Sequence, residues 1–267
     1  MKLKAAFFVI CFACLVCPVR AQSALSAKSG DNPVVILAKD TARVVISPAH
    51  YDKRDWLLLG AVSLAGFGLY SADGEIRDFV QRNAAPADTA KIFKRMGDGQ
   101  YLLPSVALAY GAGAVFGSER LKTASVLAAE SFVIAGLIAN TVKLAGHRHR
   151  PNAGDGPYSY DGISFDSGNT SFPSGHTTVA FAVAGAYAGV YDDKPAVAIT
   201  AYGLASLVGL SRMNDDAHWA SDVFFGAVLG YFTSKAVVRY HNERAGIKTA
   251  LFPYWNGGPG VMVSSRF

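Results

Sequence analysis

Apolar positions along the chain gather into six blocks, roughly 56–72, 101–117, 124–142, 177–191, 196–210 and 223–238. The blocks are rich in Ala and Gly and poor in β-branched runs, so each is predicted as a closely packed helix. The expected fold is all-α, a bundle of about six apolar helices. A further block at 34–46 sets Lys39, Asp40 and Arg43 among apolar residues. It is predicted as an amphipathic helix ending at Ser47-Pro48, either packed on the body or lying on a membrane surface. Between the blocks, 73–100 mixes charges of both signs and reads as helical and solvated. Residues 151–172 form a long Gly/Ser/Asp-rich loop, a kind that often carries function. After Gly257-Gly258-Pro259-Gly260 the last residues alternate in part, and a short strand or hairpin is expected there.

The first residues carry Lys2 and Lys4, then an apolar run at 5–16 and the small-residue exit Val19-Arg20-Ala21. This is a secretory signal peptide with cleavage after Ala21. The chain therefore divides into a signal peptide (1–21), an N-terminal segment (22–50), a helical-bundle domain (51–245) and a tail (246–267). Cys11, Cys14 and Cys17 all lie in the signal, so the mature chain would hold no disulfide, thiol nucleophile or thiolate metal site. Export to a bacterial cell envelope fits, with the product membrane-embedded, membrane-associated or periplasmic. Without Lys2, Lys4 and Arg20, 22 basic residues face 20 acidic ones, too small an excess to indicate nucleic acid. Apolar residues make up 51% and charged residues 17%, which points to membrane contact. The blocks are mostly 15 to 19 residues long, against the about 20 that a span needs. A periplasmic bundle touching the membrane and a set of spans both remain open.

Three polar clusters interrupt this apolar body. In Ser171-Phe172-Pro173-Ser174-Gly175-His176, Ser174 is a good N-cap for the block that follows. The amides of Gly175 and His176 then sit at a helix N-terminus, where free donors and the dipole favour an anion. His176 adds a group able to give or take a proton near neutral pH. The plain alternative is a capped helix with a surface histidine. Upstream, Lys143 and Arg150 are seven apart, two turns of a helix that Pro151 would end, and should share one face. Their plain alternative is a pair of cations complementing a helix C-terminus. Downstream, Arg212 precedes His218 and Asp222. Four residues apart on a helix, Asp222 can orient the imidazole and leave its other nitrogen free as a base or nucleophile. An ordinary i,i+4 polar pair is the alternative there.

The three clusters together, Lys143-x6-Arg150-Pro151, Pro173-Ser174-Gly175-His176 and Ser211-Arg212-x5-His218-x3-Asp222, resemble the three-part motif of the type 2 phosphatidic acid phosphatase superfamily. That superfamily includes bacterial acid phosphatases, lipid phosphate phosphatases and vanadium haloperoxidases. The resemblance covers about residues 51 to 240 and implies that the motifs meet at one end of a helical bundle. It implies that Lys143, Arg150 and Arg212 bind phosphoryl oxygens, with added hydrogen bonds from Ser174 and Gly175. His218 would be the nucleophile, Asp222 its orienter, and His176 the acid and then the base. Two departures stand out. His147 occupies a position where glycine is common, and Asp215-Asp216 puts negative charge beside the cations. His147 and His149 are expected to be solvated neighbours of the site.

Fixed cations can stabilise the charge that phosphoryl transfer spreads over equatorial oxygens. The expected activity is therefore metal-independent hydrolysis of phosphate monoesters or diphosphates, with no cofactor and with vanadate as inhibitor. The apolar body favours a lipid substrate such as phosphatidate, undecaprenyl diphosphate or a lipid A phosphate. The polar 151–172 loop would suit a soluble phosphomonoester and a periplasmic acid phosphatase. Two other readings are a haloperoxidase, with vanadate as cofactor in the same pocket, and a non-catalytic lipid-binding protein. The intact His176, His218 and Asp222 weigh against the latter.

Overall fold

A computed structural model of the chain describes residues 32–46, 53–164, 168–245, 248–255 and 259–266. The expected signal peptide and the boundary near residue 50 lie outside them. The described residues form α1 (Pro33–Ile46), α2 (Lys53–Ser71), α3 (Asp73–Arg82), α4 (Ala87–Gly97), α5 (Gly99–Val115), α6 (Glu119–Gly146), α7 (Gly175–Val190), α8 (Pro195–Asn214) and α9 (Ala220–Arg244). An antiparallel hairpin, β1 (Lys248–Trp255) and β2 (Pro259–Arg266), follows with Leu251 opposite Val263. The all-α bundle and the C-terminal hairpin agree with the sequence reading. All six apolar blocks fall in helices.

Local chemistry sets the helix starts. The Asp98 side chain accepts from the Gln100 amide at the head of α5, and Ser118 Oγ accepts from the Leu121 amide at the head of α6. Pro195 opens α8, where its missing N–H costs nothing.

The bundle is built around α7, which packs on α6, α8 and α9. Its contact with α9 is backbone against backbone. A methyl group on Gly230 would lie 2.2 Å from the Thr178 carbonyl oxygen, and one on Gly226 would lie 2.7 Å from that of Ser174. On α7, Gly185 faces Ser234 and Gly189 faces Val238. Small residues one turn apart thus let the two axes approach until side chains no longer separate them. Ala128, Ala135, Ala182 and Ala186 fill the remaining interior.

Helix α1 packs on α6 and α9, the first of its two predicted placements. The Arg43 guanidinium lies over the Tyr240 ring at 3.7 Å and donates to Glu243 at 3.1 Å. The 73–100 region departs from expectation. It is helical, as α3 and α4, but not simply solvated, because Asp73 is fully buried.

Helices α6 and α8 are each long and apolar enough to cross a membrane, and α2 with α3 would be a third such element, broken by a 61° bend. Large apolar side chains face outward along this body: Leu64 on α2, Leu108 on α5, Leu137 on α6 and Ile199 on α8. Exposed apolar surface on this scale marks a site of contact with a membrane or a partner.

The close α7–α9 contact leads to a prediction. Gly230→Ala places a methyl against rigid backbone and should destabilise the chain by about 1–3 kcal/mol, the usual range for overpacking. Gly203→Ala on α8, where a methyl would meet open space, should be neutral or better. Thermal unfolding in detergent compares the two.

Candidate active site

The three polar clusters meet at one end of the bundle, stitched by main-chain hydrogen bonds. The Ser171 amide donates to the Arg148 carbonyl at 3.0 Å, joining the second cluster to the first. The Ser174 amide donates to the Asp222 carbonyl at 3.0 Å, joining the second to the third. The Asn152 amide donates to Asp216 O at 3.1 Å, and Trp219 Nε1 donates to His149 O at 2.9 Å, closing the ring of contacts.

Lys143 and Arg150 come together by a different route from the one expected. Helix α6 ends at Gly146, before Arg150, so the two do not share a helix face. His147 adopts a left-handed conformation (φ 42°) with its amide bonded to Lys143 O, and the chain turns back through extended residues. Lys143 Nζ then donates to the carbonyl oxygen of Thr170, and Arg150 Nη2 donates to Thr170 Oγ1 at 3.3 Å. Pro151 opens a short 3-10 turn (Pro151–Ala153) rather than ending α6.

Ser174 is the N-cap of α7, as predicted, but its side chain does not bond the helix amides. Its hydroxyl instead accepts from Thr177 Oγ1 at 2.9 Å. The side chain of Lys143 reaches this helix start, since a methyl on Gly175 would lie 3.7 Å from Lys143 Cε. Cation and helix N-terminus thus face the same point.

Arg212 lies in the last turn of α8 and donates from Nη1 to Asp215 at 2.7 Å. Its buried Nε, and the buried Nε2 of His176, have no protein partner among the described residues. Asp216 does not join the cationic cluster. It takes a two-pronged bond from Arg77 at 2.7 and 2.6 Å.

His218 precedes α9, and Asp222 is the third residue of that helix. The orienting bond between them is longer than predicted, with His218 Nδ1 and Asp222 Oδ2 3.8 Å apart. Ser171 stands between, its hydroxyl donating to Asp222 Oδ2 at 2.6 Å and lying 3.5 Å from His218 Nδ1. Oδ2 also accepts from the Trp219 amide at 2.9 Å, and Arg148 Nη1 donates to Oδ1 at 2.6 Å. Burial pushes the Asp222 carboxyl up, but Arg148, His218 and Ser171 together hold it well below the usual range. Burial pushes His218 down to about 3 against the pull of Asp222, with Lys143 and Arg150 adding to the fall. Burial, then Arg212, push His176 down to about 4. Both imidazoles are therefore neutral at rest, each with a lone pair to offer.

The expectation that His147 and His149 are solvated is not met. His147 is buried as the left-handed cap of α6. His149 is bonded on both sides, Nδ1 to Asp155 and Nε2 to Asp161, each at 2.7 Å. Arg148, Ser171, Thr170 and Asp73 carry site contacts without having been singled out in the sequence. An arginine in a His-Arg-His-Arg run gives no sign that it turns inward. Ser171 opens the Ser171–His176 stretch, where nothing local marks its hydroxyl as a partner of Asp222.

Residues 124–245 match the PAP2 superfamily model. The chain is 29% identical over 188 residues to a lipid A 1-phosphatase of Rhizobium etli, covering 65% of this chain and 78% of that protein. It is 38% identical over 93 residues to a lipid A 1-phosphatase of Porphyromonas gingivalis, a match that covers 32% of this chain and only 21% of that protein. The fold resembles that of a transmembrane PAP2-type phosphatidylglycerolphosphate phosphatase from Bacillus subtilis, with a TM-score of 0.51 at 22% identity, over 68% of this chain and 95% of that one.

His149 leads to a pH prediction. Bonds to Asp161 and Asp155 raise its imidazole above the ordinary 6.5. A doubly protonated ring can donate to both carboxylates, whereas a neutral ring can donate to one. The tether to Asp155 and Asp161 is therefore complete below pH 6.5 and loses one of its two bonds as pH rises through the raised value. Exchange of the Asp161 amide, corrected for intrinsic rate, should quicken over that rise in the wild type. His149→Gln should abolish the dependence.

Proposed function

We propose that the chain is a membrane-associated phosphatase that hydrolyses phosphate monoesters or diphosphates of lipids through a phosphohistidine on His218. The observation that carries this reading is the convergence of Lys143, Arg150 and the α7 N-terminus, with Arg212 close enough to act on the charge of Lys143, beside a buried, neutral His218 near Asp222. A phosphoryl group placed there meets three cations and helix amides, which stabilise the charge on its equatorial oxygens.

In this mechanism Lys143, Arg150 and Arg212 hold those oxygens, and Ser174 and Gly175 add hydrogen bonds. His218 attacks phosphorus with the ring nitrogen facing away from Asp222. The bond to the leaving oxygen breaks as that oxygen takes a proton from His176. His176 takes this proton from solvent as the phosphate binds, because a nearby anion favours the imidazolium that burial disfavours. Water then gives a proton back to His176 and attacks the phosphohistidine. Phosphate leaves, His176 releases its proton to solvent, and both imidazoles return to their starting state. Asp222 stabilises the positive charge that His218 carries while phosphorylated. No step calls for a metal, because three basic side chains supply the positive charge.

The lipid assignment rests on the outward-facing apolar residues of α2, α5, α6 and α8 and on the lipid phosphatases among the relatives. Phosphate release from a lipid phosphate in detergent should persist in EDTA and fall by at least about 10³-fold in His218→Ala, the scale for losing a nucleophile. Vanadate should inhibit it. Equal activity in His218→Ala would sink the mechanism. Release from soluble esters alone would move the assignment to a periplasmic acid phosphatase.

A further inference from the structure

Arg148 is wholly buried, and each of its five N–H donors is taken. Nε and Nη2 donate to the Pro157 carbonyl at 3.1 and 2.8 Å. Nη2 also donates to Asp73 at 2.7 Å. Nη1 donates to Ser221 Oγ at 2.8 Å and to Asp222 Oδ1 at 2.6 Å. The rings of Tyr70, Trp219 and Tyr160 surround the guanidinium at 4.9, 5.5 and 5.7 Å. With all its donors used and aromatic rings around it, the fork cannot turn.

Asp73, the first residue of α3, completes the arrangement. It accepts from the Ser221 amide at 2.9 Å, from Ser221 Oγ at 2.5 Å and from Arg148. Its side chain is fully buried, and it lies outside the 124–245 domain match. The charges have a clear consequence. Arg148, bonded to Oδ1 of Asp222, cancels part of the negative charge that Asp222 offers a positive His218. With Asp73 the group carries one net negative charge in a dry interior, where such a charge acts over several ångströms.

We propose that Asp73 and Arg148 are positioning residues for the reaction. Arg148 fixes the Asp222 carboxylate against Ser171 and His218, and Asp73 fixes Arg148 and restores the negative charge that Arg148 cancels. This rests on the phosphatase reading above. A buried ion triad can also be structural only, and the two roles separate in kinetics.

The test uses the full chain in detergent, comparing wild type, Asp73→Asn, Asp222→Asn and the double variant on a lipid phosphate. Asp73→Asn should lower kcat by about 10- to 100-fold, the range for partners that orient a catalytic group, with KM within about 2-fold. In the Asp222→Asn background the same change should cost less than about 2-fold, because its route is already cut. A folded Asp73→Asn with wild-type kcat, or costs that multiply, would overturn the proposal. If Asp73→Asn does not fold, Ser221→Ala keeps both carboxylates and removes the hydroxyl shared by Asp73 and Arg148. A kcat loss of about 3-fold or more at unchanged KM supports the proposal, and an unchanged kcat overturns it. A wild type inert on every substrate defeats the phosphatase reading instead. The ring ¹⁵N signals of His218 then decide: a shift in Asp73→Asn, or in Ser221→Ala where Asp73→Asn does not fold, supports the positioning role, and no shift overturns it.

Discussion

Two backbones in contact set the rest of this structure. Where Gly226 and Gly230 of α9 lie on α7, no side chain separates the helices, and the Ser174 amide reaches the Asp222 carbonyl. That bond joins the starts of the two helices. One start presents free amides and His176, and the other presents His218 and Asp222. A wider spacing would leave each cluster intact and part them from one another. The apolar packing of the bundle therefore fixes the geometry of the candidate site and does not merely support it.

Burial has opposite effects on the groups gathered there. It removes protons from His218 and His176, leaving both able to act as bases. It would neutralise Asp222 as well, were Arg148 and Ser171 not beside it. The same dry environment thus produces neutral imidazoles and a permanent carboxylate, and the placement of Arg148, His218 and Ser171 around Asp222 separates the outcomes.

The sequence made the helices legible because their apolar blocks are long and their caps are ordinary. The three polar clusters were legible as interruptions of an apolar body, and the structure brings them to one end of the bundle. How they meet was not. Helical periodicity placed Lys143 and Arg150 on one face, but the left-handed turn at His147 defeated that geometry, and His147 is a residue type only modestly favoured in that conformation. Spacing of four implied a direct bond from Asp222 to His218, but Asp222 turned to cap its own helix. Asp73 reads as the first polar residue after an apolar block, with nothing local to show that it reaches Arg148 across 75 residues of sequence.

One ion pair bears on how the site is used. Arg212 already holds Asp215, so the cluster is not a bare set of cations waiting for a counter-ion. Asp215 occupies only the Nη1 edge of the guanidinium, and the buried Nε has no partner among the described residues. An anion arriving at Nε therefore joins the pair and need not break it. The internal carboxylate then acts as a brace, holding the guanidinium plane at a set angle while its open edge stays turned inward.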